Sequence, residues 1–172
     1  MKKIEKTIKS NVVYDGKILR LNNDDVLANG KKVTREIVHH NGGVCILAVV
    51  DGKIPMVKQY RYAYGEELLE LPAGKIDKGE NPYHAAIREL EEEVGLKAES
   101  LDELGMMYPS CGYTDEIIYL YAAKNVTKVP RHLDADEDID VYFYTIEEIK
   151  KMIMSGEIKD AKTICLVFKY LN

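Results

Sequence analysis

GKIDKGENPYHAAIRELEEEVGL, residues 74–96, decides how the rest of the chain is read. Asn81 can cap a helix, and Pro82 suits the first helical position, where its missing N–H is no loss. Gly95 stands where a left-handed C-terminal stop belongs. With 3.6 residues per turn, Tyr83, Ile87, Leu90 and Val94 share one side of that helix and are expected to face the core. Glu89, Glu92 and Glu93 share a neighbouring face at spacings i, i+3 and i+4, and Glu91 points to solvent. Carboxylates thus collect at the helix C-terminus, where the macrodipole already disfavours anions.

Two explanations compete. A solvated acidic face is affordable, because an exposed like-charge pair costs only about 0.2–0.5 kcal/mol. A divalent-metal site explains more: hard cations take oxygen ligands, and a bound cation reverses the repulsion. The surrounding residues favour the metal. The stretch reads Gly74, five residues, Glu80, seven residues, Arg88-Glu89-apolar-x-Glu92-Glu93-x-Gly95-apolar. On every fixed position it resembles the box of the Nudix hydrolase family, a loop–helix–loop that cleaves nucleoside diphosphates linked to another moiety.

The resemblance implies a mixed α/β fold, an α/β/α sandwich around a mixed sheet, with an N-terminal antiparallel β extension. It implies Mg²⁺, or Mn²⁺ in its place, held by Glu89, Glu92 and Glu93 and helped by the Ala73 carbonyl. Such metals neutralise diphosphate oxygens and acidify the attacking water. Glu92, Glu93 and Arg88 count among the catalytic group. Arg88 is expected to pair with Glu80 or Glu89 and fix a rotamer; the alternative is a surface cation.

Beyond the box, REIVHHNGGV, VKQYRY, ELPAGK, SCGYTDE and DADEDIDVYFYTIEEI are similar to the bacterial ADP-ribose pyrophosphatase branch. That branch implies a nucleoside diphosphate substrate and a homodimer whose N-terminal strands are exchanged. ADP-ribose is the substrate expected. Another nucleoside-diphosphate sugar, or a sensor that binds ADP-ribose without hydrolysing it, stands as the alternative. Arg61, Arg35 and Glu116 fall on substrate-contact positions, Arg35 acting across the dimer. A strand-end surface role is the alternative for Arg61 and Glu116, and Tyr14 is read as packing.

Two departures stand out. Ser110-Cys111-Gly112 replaces the Ser-Pro-Gly of relatives. In the late acidic run Asp134-Ala135-Asp136-Glu137-Asp138, Glu137 matches a metal ligand, but Ala135 stands where relatives carry the favoured catalytic base. The base is left to Asp134, Asp136, Glu137 in a changed role, or metal activation of water alone.

Outward from the motifs, 172 residues suggest one main domain, and 46% hydrophobic content suffices for a core. The boundary is placed at Asn41-Gly42-Gly43, giving a β extension 1–41 and a hydrolase domain 42–172. A net charge of −5 argues against a nucleic-acid partner. Three scattered cysteines suit a reducing cytoplasm, no apolar leader follows MKKIEKTIKS, and VCILAVV is too short to span a membrane. His39, His40, His84 and His132 lack ligand spacing. Asn29-Gly30 predicts a hairpin, and Asp51-Gly52-Lys53 a second one joining VCILAVV to IPMVKQYRYA. Strands are expected over 103–108, 116–123 and 138–144, a capping box at Thr145–Glu148, and a last helix from Asp160.

Turnover should be slower than in relatives with the complete acidic run. Ala135→Glu should raise it in a steady-state assay; no change, or a loss, would count against this alignment of the loop.

Overall fold

A computed structural model describes residues 4–133 and 138–172. Along the chain run β1 (Lys6–Lys9), β2 (Val12–Asp15), β3 (Leu19–Ala28), β4 (Lys31–His40), β5 (Gly43–Leu47), β6 (Ile54–Arg61) and β7 (Glu66–Glu70). There follow β8 (Ala73–Lys75), α1 (Pro82–Val94), β9 (Leu96–Met107), β10 (Ile118–Lys128), β11 (Ile139–Tyr144), α2 (Ile146–Ser155) and α3 (Ala161–Tyr170). Two compact units result: Met1–Gly42 with Tyr108–Ile117, and Gly43–Met107 with Ile118–Asn172. Among the described residues no helix is long and apolar enough to cross a membrane.

The first unit is built on one hairpin. Asn29 and Gly30 both take positive φ, 51° and 76°, the twist that a two-residue turn between right-handed strands needs. β3 and β4 then pair in unbroken register from Ala28↔Lys31 to Leu19↔His40. β1 and β2 share the other edge of β3. Residues 108–117 dock on β4: Val38 N–H donates to the Tyr113 carbonyl at 2.7 Å, and Asp115 N–H to the Val38 carbonyl at 3.1 Å.

The second unit is centred on β5. Its residues are apolar without interruption and buried throughout, as a strand covered on both faces requires. It runs parallel to β10 and antiparallel to β8 in a sheet ordered β8-β5-β10-β9. Alternation sends Val44 and Ile46 toward Ala85, Ala86 and Leu90 of α1. Cys45 and Leu47 face the opposite way, toward Ile149 of α2 and Leu166 and Val167 of α3. Helices on both faces of a mixed sheet make this unit the expected α/β/α sandwich. β11, β6 and β7 form a second, antiparallel sheet.

The expected second hairpin does not form. Its turn does: Asp51 and Gly52 have φ of 50° and 75°, and Val50 and Lys53 exchange hydrogen bonds of 2.8 and 2.9 Å. Beyond it β5 and β6 part into different sheets, because β8 and β10 occupy both edges of β5. β9 and β10 also extend beyond their expected spans, to Leu96–Met107 and Ile118–Lys128. β9 is an edge strand paired only with β10, so its polar residues interrupt the apolar signal without breaking the ladder.

The three helices take the expected caps. Asn81 Oδ1 accepts from Tyr83 N–H at 2.8 Å, the Thr145–Glu148 capping box closes in both directions, and Asp160 caps α3. The buried stripe of α1 is rotated from the expected one. Ala85, Ala86 and Leu90 are fully buried, Glu93 nearly so, while Tyr83, Ile87 and Val94 are half-buried at the cluster margin. Glu91 is half-buried, with 34% of its side chain exposed and the exposed Lys97 Nζ at 3.9 Å. Two alanines let α1 lie close on the sheet, and that approach turns the glutamate face inward.

Gly95 ends α1 at φ 65°, and a Cβ there would lie 2.8 Å from the Val129 carbonyl oxygen. Gly95→Ala should therefore destabilise by about 1–2 kcal/mol or more from left-handed backbone alone. Calorimetry should show Tm lower by about 2–8 °C; an unchanged Tm would contradict this account of the helix end.

Candidate active site

Arg88 is the hub of the box. Its Nε donates to Glu80 Oε1 at 3.0 Å, and Nη2 to Glu80 Oε2 at 3.0 Å and to the Lys75 carbonyl at 3.1 Å. Nη1 donates to Glu89 Oε1 at 2.8 Å and Glu92 Oε2 at 2.9 Å. A guanidinium has five N–H donors, so these acceptors match its whole complement. Hydrogen bonding to Glu80, with Glu89 and Glu92 behind it, raises the Arg88 pKa further above its already high value. In return Arg88 holds the Glu80 carboxyl below the usual range, and the Asp77 N–H at 3.0 Å assists. The expected partners Glu80 and Glu89 are thus engaged together, and Glu92 with them; Arg88 is no loose surface cation.

The glutamate face is not a solvated one. Glu93 is 2% exposed and Glu89 8%. Each is set against β8. Ala73 N–H donates to Glu93 Oε2 at 2.9 Å. A Cβ on Gly74 would stand 1.9 Å from Glu89 Cδ and 2.0 Å from Oε1, so only a bare glycine leaves room for that carboxylate. Ala73, Gly74 and Lys75 thus serve Glu93, Glu89 and Arg88 in turn. β8 itself is fixed on β5 through Cys45↔Ala73 and Val44↔Gly74. Beside this face a cavity of about 360 Å³ is lined by His84, Ile87, Arg88, Glu91, Glu92 and His132.

Carboxylates in this setting are suitable donors for a hard divalent cation. The Gly74 cradle brings Glu89 against the strand that carries the Ala73 carbonyl. Among the described residues no three acidic, histidine or cysteine side chains converge as they stand to hold an ion. Arg88 instead draws on Glu89 and Glu92. An ionised carboxylate has about four lone-pair sites, so a guanidinium on one side does not bar a cation from another. The donor set fits the cation.

Arg61 lies in the same unit, partly exposed at the end of β6 and paired inward. It grips Glu70, 1% exposed, through Nε at 2.6 Å and Nη2 at 2.8 Å. Arg35 and Glu116 belong to the first unit. There Arg35 forms a bidentate pair with Glu5 at 2.9 and 2.7 Å. Glu116 Oε1 is 3.4 Å from His40 Nδ1, and its N–H donates to Thr114 Oγ1 at 3.1 Å. Tyr14 is exposed. Ala135 and Glu137 lie outside the described residues. Reasoning from sequence named Arg61 but missed its partner Glu70 and the second cation on that carboxylate, Lys162. The one signal was an acid set inside the apolar run LLELPA, where a charge needs a partner.

Residues 39–166 match the model of the NUDIX domain family. The chain belongs to that family. It is 45% identical over 163 residues to the ADP-ribose pyrophosphatase of Bacillus subtilis (strain 168), covering 92% of this chain and 88% of that protein. It is 42% identical over 172 residues to the methanol dehydrogenase activator of Bacillus methanolicus, covering 98% and 92%. A solved structure described as an ADP compounds hydrolase superposes with a TM-score of 0.86 at 21% identity, covering 96% and 91%; it shares the fold. This chain is a Nudix hydrolase, and such hydrolases generally use divalent metal ions.

Gly74→Ala tests the cradle. Displacing Glu89 should lower hydrolytic kcat about 10-fold or more, the scale of a misplaced supporting contact. Full activity in the alanine variant would show that Glu89 has another position to occupy.

Proposed function

We propose that this Nudix hydrolase cleaves the pyrophosphate bond of ADP-ribose with Mg²⁺, giving AMP and ribose 5-phosphate. Mn²⁺ can substitute. The observation that carries the reading is the glutamate face of α1 seated on Ala73 and Gly74, in a chain similar over most of its length to an ADP-ribose pyrophosphatase.

In this reading Glu89, Glu92, Glu93 and Glu137 hold the cation with the Ala73 carbonyl. When bound, the cation neutralises diphosphate oxygens and makes the attacking water more acidic. The chain's residues do the rest. Arg88 holds Glu89 and Glu92 on one guanidinium nitrogen, a turn apart, and leaves their remaining lone pairs for the cation. Water adds to one phosphorus, the bridging P–O bond breaks, and the two products leave as phosphate monoesters. With Ala135 in place of the favoured base, Glu137 or a neighbouring aspartate takes the proton. Arg61 keeps 36% of its side chain exposed and directs its remaining donors to a phosphate or the base. Arg35 and Glu116 contact substrate from the N-terminal part. Residues 1–41 form an extension exchanged between two copies of a cytoplasmic homodimer. Ile8, Val12, Val13 and Tyr14, all more than half exposed, support such a partner.

A second reading is favoured by the Bacillus methanolicus relative, by its name an activator of a dehydrogenase. Here the site would bind ADP-ribose and regulate a partner. One screen separates the readings: Mg²⁺-dependent hydrolysis of ADP-ribose, GDP-mannose, UDP-glucose and dinucleoside polyphosphates. ADP-ribose should turn over fastest, and Glu92→Gln or Glu93→Gln should each lower kcat about 100-fold or more, as for other lost charge-stabilising groups. Tight ADP-ribose binding without turnover would favour the regulator. A preference for another nucleotide sugar would move the substrate within the same chemistry.

A further inference from the structure

Beside β8 lies a second cluster of charges that the box does not use. Arg61 and Lys162 both bond the buried carboxylate of Glu70 at the end of β7. Lys162 also donates to Asp160 Oδ1 at 3.0 Å. The other oxygen of Asp160 accepts from Thr163 N–H at 3.0 Å and Thr163 Oγ1 at 2.6 Å. Thr163, itself fully buried, accepts the N–H of Leu71 at 2.8 Å. The first turn of α3 therefore seizes two consecutive residues, Glu70 and Leu71. The next two are held from elsewhere. The Pro72 carbonyl accepts from Ile46 N–H at 2.9 Å, and Ala73 N–H donates to Glu93 at 2.9 Å.

Stability alone is a poor reason for this cluster. Burial pushes the Glu70 carboxyl up and the Lys162 ammonium down; Arg61 and Lys162 on one side, and Asp160 and Glu70 on the other, outweigh burial and keep both groups ionised. Apolar residues of similar volume would fill such a space without the desolvation that buried charges incur. What the cluster supplies is direction: each bond fixes one atom of a four-residue segment. It also divides the charge of Glu70 between two cations, so Arg61 is not wholly neutralised by its partner.

We propose that the first turn of α3, through Asp160, Lys162 and Thr163, is a positioning device for the hydrolytic site. It fixes the segment 70–73, and with it the guanidinium of Arg61 and the Ala73 backbone that meets Glu93. Lys162 and Thr163 act through Glu70 and Leu71 and are positioning residues. The inference rests on the reading that Ala73 and Glu93 hold the divalent cation.

Thr163→Val keeps the shape and deletes the hydroxyl; Thr163→Ser restores it. In the full chain, Mn²⁺ affinity is read by electron paramagnetic resonance, and amide exchange at Ala73 by NMR. Thr163→Val should weaken Mn²⁺ binding about 10-fold and speed Ala73 exchange by a similar factor, with Thr163→Ser close to wild type in both, as outer supports of metal sites behave. Steady-state kinetics should show the loss in kcat, with KM changed less than about 2-fold. Wild-type exchange and affinity in Thr163→Val, or no recovery in Thr163→Ser, would overturn the positioning device. If wild type bound no Mn²⁺, the metal reading would fall, while the Ala73 exchange rates would still decide this inference. Should Thr163→Val fail to fold, Asp160→Asn keeps the helix cap, removes the charge that holds Lys162, and gives the same readouts.

Discussion

Like charges crowded at the wrong end of a helix need a counter-charge, and in this protein one guanidinium is shared among three of the carboxylates. Arg88 spends five hydrogen bonds on three carboxylates and a backbone carbonyl. Without it Glu89 and Glu92 would repel each other across one helical turn, next to the negative end of the α1 dipole. The pairing reaches beyond the helix. Glu80 precedes α1 and the Lys75 carbonyl belongs to β8, so the same cation ties strand, loop and helix together. A lysine could not replace it, because three donors on a flexible stem cannot meet five fixed acceptors.

The sheet supplies the other half of the constraint. β5 is buried on both faces, and its two edges carry β8 and β10. β8 is thereby fixed by backbone pairing, without recourse to the side chains of the site. From one face α1 brings Glu89 and Glu93 down on Ala73 and Gly74. From the other, α3 reaches Glu70 and Leu71 at the entrance to the same strand. Two helices on opposite sides of a sheet thus hold five of the six residues 70–75, and β5 holds Pro72. Gly74 is bare because Glu89 fills the space of its Cβ, and Pro72 offers only a carbonyl because only an acceptor is needed there.

What the sequence disclosed follows from range. Caps and turns are written in neighbouring residues, so Asn81, Gly95, Thr145, Glu148, Asp160 and Asn29-Gly30 were all legible. The box was legible because its residues lie within one short stretch, with Arg88, Glu89, Glu92 and Glu93 on a single helix. Partings and pairings over long separations were not. Asp51-Gly52 reads as a hairpin turn and makes one, yet whether the flanking strands pair depends on which edges of β5 are taken by β8 and β10. The burial of Glu93 was hidden because a wheel ranks faces by hydrophobicity, whereas Ala85 and Ala86 act through smallness. Lys162 and Glu70 stand 92 residues apart, and nothing local to either names the other.

Arg61 shows how the two levels meet. By sequence it is a strand-end arginine, equally suited to solvent and to a phosphate. In the fold its fork is occupied by Glu70, which for an isolated pair would cancel its charge. Lys162 changes that balance, because it claims the same carboxylate while Asp160 claims Lys162. The four groups together are neutral, but the positive end of the arrangement is the partly exposed Arg61, and Glu70 and Lys162 remain inside. A buried salt-bridge network is weak evidence of stability. One that ends in a single accessible cation, at the entrance to the strand on which Glu89 and Glu93 of α1 rest, sets a direction for charge. It leaves the positive charge at the partly exposed Arg61 and keeps the compensating carboxylate of Glu70 buried.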